Sequence, residues 1–64
     1  MTENWDEWAT RFAGRDECAA AYAKLLDNGE GVTWRDVNNA IMARWSMSGL
    51  IYIKEHAWKL AGTP

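Results

Sequence analysis

Side chains suited to acid–base or nucleophilic chemistry are few in this 64-residue chain. It contains one histidine, His56, and one cysteine, Cys18. A zinc site needs about four Cys, His or carboxylate ligands at short spacings, and this pair does not provide them. The chain also has no glycine-rich phosphate loop. We therefore expect no enzyme activity, no metal, no cofactor and no small-molecule substrate. We interpret Cys18 as a buried core residue and His56 as a solvated surface residue.

A second kind of chemistry is contact with phosphate groups, for which the second half of the chain supplies basic side chains. Residues 1–32 carry seven acidic and three basic side chains, whereas residues 33–64 carry two acidic and four basic ones. This asymmetry is a weak indication of an anionic partner, although the net charge of −2 opposes general affinity for nucleic acid. The candidate nucleic-acid contacts are Arg35, Arg44, Lys54 and Lys59.

A third possibility is recognition of another protein by large apolar side chains near the C-terminus. On a helical wheel Leu50, Ile53 and Ala57 form a core face, and a further apolar flank extends this face on one side. The sequence is compatible with two interpretations of the flank. The flank is either an exposed interface for another protein or a second copy, or a surface buried under the first helix. The flank consists of Met47, Ile51 and Trp58.

Four helical segments are predicted to position these residues, since no run of apolar residues alternates clearly with the period of two that strands require. The predicted segments begin near Asn4, Asp16, Thr33 and the serines at 46 and 48. Asn4 and Thr33 are predicted N-caps, and the second segment is predicted to stop at Asn28 and Gly29 in left-handed conformation. Leu26 and Leu60 are assigned to inner faces, and Gly62 is predicted to end the last segment.

The junction of the last two segments resembles a helix-turn-helix in spacing. The best register uses Ala40 as the small residue and Leu50 with Ile53 as the locking pair, and it places Arg44 where a glycine is usual. Groove-facing positions would then hold no Arg, Lys, Asn or Gln, the residues that mainly read base edges. Those positions are Met47, Ser48, Ile51, Tyr52 and Glu55.

The sequence therefore predicts one all-α domain over residues 1–64. We expect a compact bundle of three to four short helices, the last two joined by a tight helix-turn-helix-like corner. No apolar stretch is long enough to cross a bilayer and no secretory leader opens the chain, so we expect no membrane association and a cytoplasmic location. The expected function is non-enzymatic binding of another protein, or self-association, through the flank of the last helix. The alternative is a small helix-turn-helix regulator that binds nucleic acid.

Overall fold

The computed structural model describes residues 4–29 and 31–62, and within them every regular element is an α-helix. The three helices are α1 (Trp5–Thr10), α2 (Arg15–Asp27) and α3 (Trp34–Leu60). The all-α prediction is confirmed. Both shorter helices pack on α3, which makes α3 the shared partner of the domain.

Helix α3 occupies the region where two helices were predicted. A single residue inside it, Ser46, leaves helical geometry, with φ 68° and ψ −179°. Positive φ in this range suits glycine, because a Cβ meets the neighbouring backbone there. Ser46 therefore divides α3 into an N-terminal half, residues 34–45, and a C-terminal half, residues 47–60.

The helix starts agree with the sequence only in part. Asn4 Oδ1 accepts a hydrogen bond from the backbone N–H of Glu7 at 3.2 Å, so Asn4 caps α1 as predicted. Thr33 is the N-cap residue of α3, as predicted, but its hydroxyl makes no cap hydrogen bond, so that part of the prediction is wrong. Helix α2 has Gly14 at its N-cap, and Glu17 reaches back to accept from the N–H of Ala13 at 3.2 Å.

The helix ends show a similar mixture. Asn28, at the C-cap of α2, has φ −119°, and the left-handed glycine of this connection is Gly31, with φ 80°. The prediction that Asn28 and Gly29 form the left-handed stop is therefore wrong. Gly62, with φ 77°, follows α3, and its N–H donates to the carbonyl oxygen of Lys59, as a helix-terminating glycine does.

Half of the buried core residues lie on α3, and α2 contributes mainly small residues that pack against them. Tyr22, whose hydroxyl donates to Asn38 Oδ1 at 2.9 Å, is the largest α2 side chain in the core. Leu26 and Leu60, assigned to inner faces from the sequence, are 36% and 61% exposed and do not belong to it. The buried hydrophobic residues are Trp8, Ala9, Cys18, Ala19, Tyr22, Ala23, Val37, Ala40, Ile41, Leu50, Ile53 and Ala57.

Candidate interaction surface

The C-terminal half of α3 separates its apolar side chains into two rows. Leu50, Ile53 and Ala57 are buried against the rest of the domain. The second row, which we call the apolar strip, consists of Met47, Ile51 and Trp58. At ~100° per residue its three members point within ~40° of one another, so they form one continuous surface.

The structure places the whole apolar strip at the surface. Met47 is 60% exposed, Ile51 52% and Trp58 57%. The sequence left open whether these residues are core or surface, and α1 does not cover them. They and Leu60 are the large apolar side chains of α3 that stay exposed among the described residues. Single exposed apolar residues are common, whereas larger contiguous apolar patches often mark interaction sites.

A shallow groove of about 260 Å³ crosses the strip between Ile51 and Trp58. Lys54 and Glu55 complete its lining. These four positions have the spacing i, i+3, i+4, i+7, which is the spacing of the four residues that surround one inserted side chain in helix-on-helix packing. The groove thus has apolar ends and one charge of each sign at its middle.

The four candidate phosphate-binding residues do not converge on one surface. Arg35 lies in the first turn of α3 and Lys59 in the last. Lys54 lines the groove on the strip, on a different side of the helix from Lys59. Arg44 Nη1 donates to the carbonyl oxygen of Ala9 at 2.6 Å, and its guanidinium lies 4.2 Å from the centre of the Trp45 ring. Arg44 therefore contributes to packing between α1 and α3.

The helix-turn-helix register matches the structure in its apolar positions alone. Ala40, Leu50 and Ile53 are buried, as that register requires. The positive φ belongs to Ser46, however, two residues after the Arg44 position to which the register assigned the glycine of the turn. Arg44 itself keeps helical geometry, and its side chain reaches α1.

A polar cluster that the sequence did not predict joins the start of α2 to α3. The Tyr52 hydroxyl donates to Asp16 Oδ1 at 2.7 Å, and this hydrogen bond, more than desolvation, raises the pKa of Tyr52. The Arg15 guanidinium lies over the Tyr52 ring, 4.7 Å from its centre, and the His56 ring stacks on the Tyr52 ring with centroids 4.0 Å apart. His56 is half-buried, so its interpretation as a solvated residue is wrong. The four-residue spacing of Tyr52 and His56 was the available sequence signal.

The single thiol is enclosed in the core. Cys18 is completely buried, as expected, and burial raises its pKa to about 11, against a smaller opposite effect of the Arg44 charge. A thiol that holds its proton at neutral pH is a poor nucleophile. Over residues 4–29 and 31–62, no three His, Cys, Asp or Glu side chains are grouped as metal ligands would be.

Comparison with known proteins gives no relative: no family model, curated protein sequence or solved structure matches this chain. None of the helices in the described part of the chain is long and apolar enough to span a membrane.

Proposed function

We propose that this protein acts by binding another polypeptide chain through the apolar strip of Met47, Ile51 and Trp58, without catalysis. The observation that carries the proposal is the exposure of all three side chains, each more than half open to solvent, on one side of one helix. Trp and Met are frequent in binding surfaces, since Trp supplies a large rigid area and Met adapts its shape to the partner.

The size of the domain supports the same proposal. A domain of this length buries only about 60% of the surface of its unfolded form, so apolar surface covered on association would add to a small free energy of folding. The core contains small residues such as Ala19, Ala23 and Ala57, whereas larger side chains stand outside it on the strip. Leaving large apolar groups in water is unfavourable, and covering them on association recovers roughly 25 cal/mol per Å².

The test compares strip variants with a matched surface variant. Ile51→Asp and Trp58→Ala alter the strip, and Leu26→Asp introduces the same charge as Ile51→Asp at a partly exposed leucine on α2. All three proteins should keep the helical circular dichroism of the wild type. Trp58→Ala should weaken association by about 2 kcal/mol or more, as truncation of a central Trp does in other interfaces.

Association is measured in two ways: sedimentation of the purified protein, and recovery of partners on the tagged protein from its native cell after nuclease treatment. Loss of association by Ile51→Asp and Trp58→Ala, but not by Leu26→Asp, is the expected result. Strip variants that bind as the wild type does would refute the proposal. Binding that disappears with nuclease and depends on Arg35 and Lys59 would instead favour the nucleic-acid alternative.

A further inference from the structure

The groove on the apolar strip is complementary to the side chain of Lys54, one of its own lining residues. Its walls are Ile51 and Trp58, and Lys54 and Glu55 flank it. A lysine side chain has a long aliphatic stem, which packs on apolar walls, and a terminal charge, which stays at the rim. One strip therefore offers both a recess for a lysine stem and a carboxylate for the ammonium group.

We infer that the partner is a second copy of this chain, with the two C-terminal halves of α3 side by side, parallel and in register. In this arrangement the Lys54 stem of each copy enters the groove of the other between Ile51 and Trp58. Its ammonium group lies beside Glu55 of the second copy. This inference rests on the proposed function, because it names the partner of the same surface.

The positions of the two charges select the parallel arrangement. Viewed down the helix axis, Lys54 points ~40° to one side of the centre of the strip, and Glu55 points ~60° to the other side. A two-fold axis parallel to the helices exchanges the sides, so each Lys54 faces Glu55 of the other copy with a difference in height of only ~1.5 Å. In an antiparallel pair centred on the groove, the two Lys54 side chains lie on the same side of the interface. Lys54 then faces Lys54 of the other copy, which is unfavourable.

We expect the dimer to be weak. The C-terminal half of α3 is only ~20 Å long at 1.5 Å per residue, and small interfaces generally belong to transient complexes. A lysine in a helical seam also costs stability while it fixes register and the number of chains. Sedimentation equilibrium should therefore extend to high protein concentration.

Charge exchange at the groove tests the inference. Lys54→Glu and Glu55→Lys each replace two attractive pairs by two repulsive ones, so each variant alone should dimerise roughly tenfold more weakly than the wild type. An equal mixture of the two should restore association, since every pair in the mixed dimer is again of opposite sign. Arg35→Glu and Asp36→Lys, in the first turn of α3, change the net charge equally and should leave association unchanged.

Cross-linking tests the direction of the helices. Met47→Cys should form a disulfide with its equivalent under mild oxidation, because a parallel pair brings the two positions together. In the antiparallel pair they lie ~20 Å apart, counted at 1.5 Å per residue. The wild type, in which buried Cys18 is the sole thiol, should form none. Absence of the Met47→Cys cross-link in a protein that dimerises would overturn the parallel arrangement.

The outcomes separate this inference from the proposed function. A wild type that stays monomeric at high concentration, or a mixture of charge variants that does not recover association, overturns the inference of a second copy. If Ile51→Asp then still abolishes recovery of a different polypeptide from the cell, the strip remains a binding surface. If the strip variants change neither self-association nor recovery, both proposals fail.

Discussion

Arg44 Nη1 lies 2.6 Å from the carbonyl oxygen of Ala9, and this hydrogen bond joins the last turn of α1 to the N-terminal half of α3. The last four carbonyl groups of a helix have no partner within it, so the guanidinium satisfies one of them. The same guanidinium lies over Trp45. A charged side chain of the predicted phosphate-binding set therefore has a structural role.

Removing the donor should destabilise the domain. Arg44→Met keeps most of the aliphatic stem but leaves the Ala9 carbonyl group without its charged donor, so the free energy of unfolding should fall by about 1.5–3 kcal/mol. Arg35→Met, at an exposed position of the same helix, should change it by less than about 0.5 kcal/mol. Urea titration measures both values. Equal effects of the two substitutions would show that the hydrogen bond does not stabilise the fold.

Gly49 should not tolerate even alanine. A Cβ placed on Gly49 would overlap Cβ of Trp45, whereas a Cβ on Gly14 has no atom within 4 Å. Gly49→Ala should lower the free energy of unfolding by about 1–3 kcal/mol through overpacking, although alanine is the better helix former. Gly14→Ser, which adds an N-cap hydroxyl to α2, should be neutral or stabilising. A stabilised Gly49→Ala protein in thermal unfolding would contradict the close Trp45 contact.

Ser46 and Ser48 should respond to glycine in opposite directions. Ser46 has φ 68°, and strain of about 1–3 kcal/mol is typical of a non-glycine residue there. Ser46→Gly should therefore raise the free energy of unfolding by about 1 kcal/mol, despite loss of the 3.1 Å contact between the two hydroxyls. Ser48→Gly, at a helical position, should lower it by about 0.5–1 kcal/mol. Chemical denaturation of the two variants measures both changes in the free energy of unfolding, which should have opposite signs.

The buried thiol should make the fold sensitive to alkali. Burial raises the pKa of Cys18 from 9.0 to about 11, so the folded protein keeps the proton to higher pH than the unfolded chain does. The stability that this contributes is complete below pH 9 and is lost as the pH rises from 9 to about 11. The slope approaches ~1.4 kcal/mol per pH unit.

Cys18→Ala provides the reference for this prediction, because all other titrating groups are common to both proteins. The free energy of unfolding of the wild type should fall more steeply between pH 9 and pH 11 than that of Cys18→Ala. Parallel curves would mean that the thiol titrates alike in the folded and unfolded states.

Local sequence patterns predicted the helices but not which of their side chains are covered by another helix. The spacing of apolar residues was sufficient to predict an all-α fold. The Asn4 cap was also predictable, because it depends on residues only three positions apart. Leu60 fits the same periodicity as Leu50, yet it lies at the end of α3, where no other helix covers it. The hydrogen bond from Tyr52 to Asp16 joins residues that are distant in sequence, so a helical wheel of one segment cannot predict it. The exposure of Met47 and Trp58 likewise depends on where α1 packs.

The packing of both shorter helices on α3, with little contact between α1 and α2, also determines how the domain opens. Detachment of α1 breaks mainly its own contacts with α3, so α2 and α3 can remain paired when α1 opens. Amide protons of Trp5–Thr10 should therefore exchange with solvent through a local opening whose free energy is lower than that of global unfolding. Amides around Ile41 and Ile53, completely buried on α3, should exchange only when the whole domain unfolds.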